Sequence, residues 1–351
     1  MIRAILTVVV FLLMGASALA QDRPLVIAHR GASGQMPEHT RAAYELAIDQ
    51  GADFIEPDLV MSRDSVLIVR HENEIGGTTD VARHPEFADR RTTKVIDGET
   101  VEGWFTEDFT LVELKTLTTR ERLPALRPAS TEFDGHDPIL TFEEVVELAR
   151  AESERLNRVI GVAPELKHPS YFRSIALPME DGFVAVLEAH GLSDAAAQIL
   201  VQCFEVETLR TLSGRIDAPL LQLMAASGGP ADQPSQTYAA MATSRGLADI
   251  ATYADFIGVE TTLIEPRDAE GAVQPATSLI ADAHAAGLKV VAWTFRAENA
   301  FLPKGDRQGD PGDPDFARLH GDLPGHLKRF QALGVDAVFT DFPGVAVDAF
   351  R

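Results

Sequence analysis

Residues 52–69 read ADFIEPDLVMSRDSVLIV, two apolar runs joined by the polar triplet RDS. Side chains of a β-strand alternate between its two faces, so Glu56 and Asp58 in the first run project from the same side. Only about seven residues separate Asp58 from the second run, too few for the helical crossover that a parallel neighbour requires. The second run is therefore predicted to fold back antiparallel on the first as a hairpin.

The rest of the chain alternates short β-rich runs with helix-sized intervals. The predicted strands are Leu25–Ala28, Phe54–Asp58, Val66–Val69, Val159–Glu165, Gln198–Gln202, Pro219–Leu223, Phe256–Val259, Lys289–Thr294 and Ala337–Thr340. Because Val66–Val69 is the return strand of the hairpin, the others form a set of parallel strands separated by helices. This pattern predicts an α/β protein, here a TIM (β/α)₈ barrel with an insertion after the second strand and its hairpin.

Several helix ends are visible in the sequence. Thr141 is followed three residues later by Glu144, which is typical of a capping box that begins a helix, here to about Asn157. Glycine is a typical stop for three other helices. They are Thr40–Gln50 before Gly51, Ala276–Ala286 before Gly287 and Leu327–Leu333 before Gly334.

The N-terminus has the pattern of a secretory signal. Arg3 precedes the apolar residues 4–14, and Ala18-Leu19-Ala20 fits the small-x-small cleavage rule. The apolar stretch is short for a membrane span, which needs about 20 residues. We therefore expect residues 1–20 to be removed and the chain to be periplasmic or secreted, without stable membrane insertion after cleavage. An uncleaved anchor is the alternative.

Composition excludes some partners. The formal net charge is −22 at pH 7, which disfavours nucleic acid and attraction to an anionic membrane surface. An anionic substrate would need a local positive site, which a metal ion and an arginine can supply. Cys203 is the only cysteine, so folding does not depend on an intrachain disulfide. The oligomeric state is left open.

Residues 72–138 form the longest stretch without strong periodicity. A structureless loop of this length is improbable in a compact domain, so we predict an insertion that packs over the barrel mouth and leave its role open. A short helix is expected at Thr110–Leu117 within it. We see no linker that divides residues 21–351, which are predicted to form one barrel domain.

Three carboxylates follow predicted strands and suggest a metal site. Glu56 and Asp58 would repel each other in an apolar setting, and Glu165 follows another strand-like run. A bound hard cation such as Ca²⁺ or Mg²⁺ commonly offsets such repulsion between carboxylates. An ordinary charged surface strand is the competing interpretation.

Two histidines and an arginine are expected near these carboxylates. His29 and Arg30 end the first strand, and the hairpin sets residue 71 roughly opposite residue 57, which returns His71 to the same rim. Arginine can clamp a phosphate with two parallel hydrogen bonds, and histidine can move a proton near neutral pH. An enzyme site for an anionic substrate is the sharpest interpretation.

In order and content, these motifs resemble those of the glycerophosphodiester phosphodiesterases. The matching stretches are His29-Arg30-Gly31, Pro37-Glu38-His39-Thr40, Glu56-Pro57-Asp58, Val69-Arg70-His71, Glu165-Leu166-Lys167, Trp293-Thr294, Gly334-Val335-Asp336 and Thr340-Asp341-Phe342-Pro343. Each is weak alone, but the ordered set is specific and spans about residues 25–345. The segment after His71, with Thr78-Thr79-Asp80-Val81 and Asp108-Phe109-Thr110, resembles the periplasmic type.

The resemblance implies a barrel that hydrolyses glycerophosphodiesters to sn-glycerol 3-phosphate and an alcohol. It implies that one divalent cation, with Ca²⁺ favoured and Mg²⁺ the alternative, is held by Glu56, Asp58 and Glu165. His29 and His71 would be the acid/base pair, and we favour His29 as the base. The substrate-binding residues would be Arg30, Glu38, Lys167 and Trp293.

Some positions depart from the family pattern. His39 stands where asparagine is usual, Glu72 where aspartate is common, Ser65 where glycine is frequent, and Cys203 where serine is common. None removes a predicted ligand or acid/base group, and the substrate preference is left open. Two alternatives remain: an enzyme acting on a lysophospholipid or phosphoinositide, and a non-catalytic barrel that binds phosphodiesters.

Overall fold

The computed structural model describes residues 23–351, so the predicted signal at residues 1–20 lies outside the described residues. Its strands are β1 Leu25–His29, β2 Phe54–Glu56, β3 Asp58–Met61, β4 Leu67–Val69, β5 Thr92–Ile96, β6 Glu99–Gly103, β7 Gly161–Val162, β8 Glu165–Leu166, β9 Val201–Cys203, β10 Leu220–Met224, β11 Phe256–Glu260, β12 Lys289–Phe295 and β13 Ala337–Thr340. No helix within the described residues is long and apolar enough to cross a membrane.

The parallel strands close into a barrel. Strand β1 pairs in parallel with β2 on one side and with β13 on the other, and the ladder continues through β7 and β8 to β9, β10, β11, β12 and back to β13. Segments β2 and β3 together make the second barrel strand, and β7 and β8 make the third. The predicted TIM barrel is confirmed.

Two prolines explain why those two strands are split. Pro57 separates β2 from β3, and Pro164 lies between β7 and β8. Proline has no N–H to donate to the ladder, so regular pairing is interrupted at each. The sequence predicted each strand as one unbroken run, which is wrong at these two positions.

The hairpin has the predicted register. Strand β4 pairs antiparallel with β3, with Leu59 opposite Val69. Continuing this register sets residue 57 opposite residue 71, and the Arg70 N–H donates to the Asp58 carbonyl at 3.0 Å. His71 therefore returns to the end of β2, as expected.

The helices surround the barrel. They are α1 Arg41–Asp49, α2 Leu111–Leu114, α3 Phe142–Leu156, α4 Pro169–Ser174, α5 Glu180–His190, α6 Val206–Ser213, α7 Tyr238–Met241, α8 Ser244–Ile250, α9 Thr261–Ile264, α10 Leu279–Ala285, α11 Leu323–Leu333 and α12 Pro343–Ala349. The predicted capping box of α3 is present, since Thr141 and Glu144 bond each other's backbone N–H groups. Gly334 ends α11 in the left-handed conformation, which glycine adopts without strain.

Strand alternation places the chemistry at the barrel mouth. A small apolar cluster made by inward-facing strand residues fills the barrel: Ile27, Ala163, Leu200, Leu221, Leu223, Val291, Ala337 and Phe339. Two residues after the cluster residue in five of these strands, the next inward-facing side chain lies at the carboxyl-terminal rim of the barrel. These are His29, Glu165, Gln202, Trp293 and Asp341.

Residues 72–138 contain their own structure. Strands β5 and β6 form an antiparallel hairpin, and α2 begins with a capping box in which Thr110 and Glu113 bond each other's backbone. The indole N–H of Trp104 donates to the Phe87 carbonyl at 2.7 Å. The segment reaches the barrel mouth through its later residues, and the predicted domain bounds stay predictions.

Candidate active site

A cavity of about 370 Å³ opens at the carboxyl-terminal ends of the barrel strands. This is the position at which TIM barrels carry their active sites. Its lining residues are His29, Arg30, Glu56, His71, Arg122, Glu165, Lys167, Gln202, Phe204, Leu223, Trp293, Thr294, Arg296 and Phe339. Four of them are cations (Arg30, Arg122, Lys167 and Arg296), although the whole chain is strongly acidic.

Three carboxylates meet beneath the cavity. Glu56 ends β2, Asp58 begins β3, and the pairing of β3 with β8 sets Asp58 beside Glu165. One oxygen of each lies within 4.8 Å of the others, and all three side chains are buried. The structure thus brings the three predicted metal ligands together.

The electrostatics of this trio fit a hard cation. Burial, with the charge of Asp58, raises the pKa of Glu56 well above its usual range. Burial likewise raises the pKa of Glu165 to about 7. Asp58 Oδ1 is buried and has no hydrogen-bond partner within residues 23–351. Carboxylate oxygens are the ligands of Ca²⁺ and Mg²⁺, so the donor set suits such an ion.

Asp58 is held in its ionised form by its neighbours. Burial opposes ionisation, but Arg30, with His39, keeps the pKa of this carboxyl well below its usual range. The Nε of Arg30 lies 3.3 Å from Asp58 Oδ2, and His39 Nε2 lies 2.9 Å from the same oxygen. Tyr44 holds the other ring nitrogen of His39 at 2.8 Å. Although asparagine is usual at position 39, the histidine of this chain also provides a hydrogen-bond partner for Asp58.

His29 is backed by a buried carboxylate. Its Nδ1 lies 2.6 Å from Asp341 Oδ1, and Arg296 and Arg127, with His29, hold the pKa of Asp341 well below its usual range against the effect of burial. An ionised carboxylate only accepts hydrogen bonds, so Nδ1 carries the proton and Nε2 keeps its lone pair. Burial and the charge of Arg30 lower the pKa of His29 to about 4.

The carboxylate behind His29 is itself fixed from two sides. Arg127 donates to Asp341 Oδ2 at 2.5 Å, to Glu298 at 2.6 Å and to the Ser33 carbonyl at 2.7 Å. Arg296 Nε donates to the same Asp341 oxygen at 2.9 Å. Arg127 belongs to residues 72–138, which therefore contact the His29 side of the site.

His71 stands in a more open environment. Its Nδ1 lies 2.7 Å from Glu72 Oε1 without hydrogen-bond geometry, and Lys167 Nζ lies 3.4 Å from its Nε2. Glu72 is about half exposed and also contacts His168, which in turn bonds Asp97. Burial, with the charges of Arg30 and Lys167, lowers the pKa of His71 to about 3.

Arg30 joins the metal trio to the cavity. Its backbone adopts a left-handed conformation with φ of 61°, which is uncommon outside glycine. Its N–H donates to Glu56 Oε2 at 2.8 Å and its Nη1 to Glu38 Oε2 at 3.0 Å. The same oxygen of Glu38 accepts from Arg122 Nε at 2.8 Å. Glu38 thus positions two arginines at the cavity.

Aromatic side chains form another part of the wall. Trp293 meets Phe204 edge to face at 5.9 Å between ring centres, and its indole N–H donates to the Gly258 carbonyl at 3.0 Å. Lys167 Nζ lies 5.7 Å from the Phe204 ring and 3.0 Å from Glu165 Oε1. Cys203, next to Phe204, is fully buried.

Sequence reasoning missed several residues of the site: Arg122, Arg127, Arg296, Asp341, Gln202 and Phe204. Two of them carried a usable signal. Asp341 lies within one of the family-like stretches and Phe204 lies next to Cys203. Strand alternation from Phe339 also places Asp341 at the barrel mouth. The two arginines of residues 72–138 carried no such signal, because that segment has no strong periodicity.

Comparison with known proteins identifies the class. Residues 29–345 match the glycerophosphoryl diester phosphodiesterase family. A glycerophosphodiester phosphodiesterase of Arabidopsis thaliana is 35% identical over 93% of this chain and 86% of its own length. The chain belongs to this family of enzymes, whose members depend on divalent cations.

Solved structures show the same fold. A glycerophosphodiester phosphodiesterase from Agrobacterium tumefaciens has a TM-score of 0.57 at 16% identity, covering 93% of this chain and 99% of its own. A phosphodiesterase from Oleispira antarctica, in complex with the product sn-glycerol-3-phosphate, has a TM-score of 0.60 at 22% identity, covering 93% and 96%. At these identities the likeness bears on the barrel alone.

Proposed function

We propose that this chain hydrolyses glycerophosphodiesters to sn-glycerol 3-phosphate and an alcohol. The observation that carries the proposal is one cavity lined by two histidines, four cations and two of the three clustered carboxylates. Family membership supports the same reaction. A barrel that only binds phosphodiesters would not need both histidines beside the carboxylate trio.

The cations of the cavity bind the phosphodiester. Arg30 is the central one, because it contacts both Glu38 and Asp58 and lines the cavity. Arg122, Lys167 and Arg296 add positive charge around it. Since these groups are fixed before substrate arrives, they stabilise charge on the phosphoryl oxygens without reorganising during the reaction.

The histidines divide the proton transfers. His29 Nε2 accepts the proton of the glycerol 2-hydroxyl, whose oxygen attacks phosphorus. His71 is protonated once the bound phosphodiester anion offsets the charges of Arg30 and Lys167, and it gives its proton to the leaving alcohol as the P–O bond breaks. A cyclic phosphate is left. Water then opens it with the roles reversed, His71 taking the proton of water and His29 returning one to the 2-oxygen. Asp341 positions His29 and stabilises its charged form.

Glu56, Asp58 and Glu165 would hold one divalent cation, and we propose Ca²⁺. When bound, such an ion supplies Lewis-acid polarisation of a phosphoryl oxygen. Each of these carboxylates keeps a second contact with the protein: Glu56 with the Arg30 N–H, Asp58 with His39 and Glu165 with Lys167. These contacts orient the oxygens that would face the ion.

We also propose that the mature chain acts in the periplasm or outside the cell, as the periplasmic type. The support is the signal-like pattern of residues 1–20 and the sequence of the segment after His71. Sequencing the N-terminus of the exported protein tests this. A mature chain that begins at Gln21 agrees with cleavage after Ala20, and retention of Met1 contradicts it.

The reaction is tested with the purified mature chain and glycerophosphocholine. Release of glycerol 3-phosphate is measured with chelator, without chelator, and after Ca²⁺ or Mg²⁺ is restored. We expect chelator to stop turnover and Ca²⁺ to restore it more fully than Mg²⁺. Turnover unaffected by exhaustive chelation would contradict the metal site, and no turnover with either ion would contradict the substrate class.

A further inference from the structure

A second, smaller cavity of about 190 Å³ adjoins the active-site cavity. The two share three wall residues at the end of β12, namely Trp293, Thr294 and Arg296. Residues after β11 and from α11 form much of the remaining wall, among them Arg267 and His326. The two spaces are therefore neighbours on either side of the same strand end.

His326 is an unsatisfied buried group in this wall. The side chain is 4% exposed and packs its ring against Phe295 and Phe330, with ring centres at 4.9 and 5.2 Å. Neither ring nitrogen forms a hydrogen bond with any group in residues 23–351, and Nδ1 is fully buried. A buried polar nitrogen without a partner is costly. A ligand in the cavity would offer a partner to Nε2, the ring nitrogen that is not fully buried.

Arg267 adds a cation whose charge is not balanced by direct contact. One guanidinium nitrogen donates to the Phe301 carbonyl at 3.0 Å, but within the described part of the chain no carboxylate oxygen lies within 4.0 Å of it. Burial, with the charge of the neighbouring Arg307, lowers its pKa. An anion beside Arg267 would balance its charge and raise its pKa again.

The other polar groups of the cavity are also donors or are already occupied. Thr261 lines the wall and is a buried residue, and its hydroxyl has no partner among residues 23–351. Arg296 lines both cavities. Glu260 is acidic, but its oxygens accept from the Thr262 hydroxyl and the Ala226 N–H, each at 2.9 Å. The free hydrogen-bonding capacity therefore suits an anion.

We propose that this second cavity is a subsite for a second phosphate of the diester substrate. The proposal rests on the hydrolysis proposed above, because the two cavities share Arg296 and the second phosphate would arrive on a diester bound in the first. Arg267, Arg296, His326 and Thr261 would donate to its oxygens. The enzyme then prefers diesters that bear a further phosphate.

The test compares two substrates that differ by one phosphate. Glycerophosphoglycerol is compared with the same diester phosphorylated on one terminal hydroxyl. We expect a higher kcat/KM for the phosphorylated diester, and Arg267→Gln lowers that value about tenfold, the loss of one charge-assisted hydrogen bond. Turnover of glycerophosphoglycerol by Arg267→Gln stays within about twofold of the wild type.

Arg307→Gln is the matched control. Arg307 lies near Arg267 but is exposed and does not line the cavity, so this variant removes a neighbouring charge without removing a donor that lines the cavity. We expect the preference for the phosphorylated diester to persist in Arg307→Gln.

Two further variants distinguish loss of binding from loss of folding. Arg267→Lys keeps the positive charge and should retain part of the preference. His326→Phe removes the unpartnered nitrogen in the apolar wall and weakens the preference while the protein stays folded in a thermal melt.

Two results would overturn the subsite. The wild type could show no preference between the two diesters, or Arg267→Gln could lower kcat/KM equally for both, which indicates a structural role. Failure of the wild type to cleave glycerophosphoglycerol at all is a different result, because it contradicts the proposed hydrolysis itself.

Discussion

His29 and His71 line the same cavity, yet the carboxylate behind each is held differently. Asp341, behind His29, is buried and accepts from two arginines, one of them from residues 72–138. Glu72, behind His71, is about half exposed and lacks hydrogen-bond geometry to the ring. A fixed partner sets the tautomer and direction of His29, whereas His71 has easier access to water. The difference favours a base on one side and a proton-exchanging acid on the other.

The largest expected effect comes from removing either histidine. His29→Ala and His71→Ala should each lower kcat by about 10³-fold, the usual scale of a lost acid or base. A substrate with a p-nitrophenol leaving group separates the roles, because that group departs without being protonated. We expect it to restore much of the rate of His71→Ala but not of His29→Ala. The opposite pattern of rescue would reverse the assignment.

The next effect tests the two carboxylates directly. Asp341→Asn replaces an acceptor by an amide that can present its N–H to His29. The ring then no longer favours the tautomer with its proton on Nδ1, and kcat should fall about 10²-fold. Glu72→Gln, at the exposed position, should change kcat by less than about fivefold. Steady-state kinetics and the pH profile of kcat measure both. Equal losses in the two variants would contradict the contrast.

A smaller effect distinguishes two arginines of residues 72–138. Arg127 holds Asp341 and does not line the cavity, whereas Arg122 does. Arg127→Met should lower kcat about tenfold with little change in KM, since one charge-assisted contact behind His29 is lost. Arg122→Met should raise KM by a similar factor with a smaller effect on kcat.

The reverse distribution would show that Arg127 binds substrate. Loss of kcat without a change in the pH profile of Arg127→Met would indicate a structural role for this arginine, because a positioning residue acts through the ionisation of His29.

The smallest expected effect concerns stability in acid. The pKa of His29 is lowered to about 4 in the folded chain, so the unfolded chain binds more protons once pH falls below about 6.5. This contribution to stability is complete above pH 6.5 and is lost on acidification. In chelator, His29→Gln should reduce the loss between pH 7 and pH 5.5 by about 1 kcal/mol. Urea unfolding at both pH values measures it, and an unchanged loss would contradict the buried neutral ring.

Local signals in the sequence were sufficient for most of the fold. The turn between Asp58 and Val66 and the capping box at Thr141 are decided by neighbouring residues, and both were predicted with the right register or end. The carboxylate trio followed from strand alternation plus closure of the barrel. The strand breaks were missed because the apolar pattern continues past Pro57 and Pro164. Hydrophobicity alone does not show that each proline lacks an N–H for the ladder.

The unpredicted part of the site depends on distant contacts. Arg127 reaches Asp341 across 214 positions and Glu298 across 171, and no periodicity links such residues. Arg296 follows β12 directly, but only the packed structure shows that it turns toward Asp341. Side chains that act by holding others leave little pattern in a single sequence, whereas side chains on regular strands leave a clear one.

The seam of the barrel, where β1 meets β13, has a consequence for biosynthesis. His29 and Asp341 lie 312 positions apart and join only across that seam. A nascent chain therefore carries the histidine long before its carboxylate has been made. Hydrolysis at full rate must wait for the last barrel strand, so a partly synthesised chain spares the phosphodiesters that it meets.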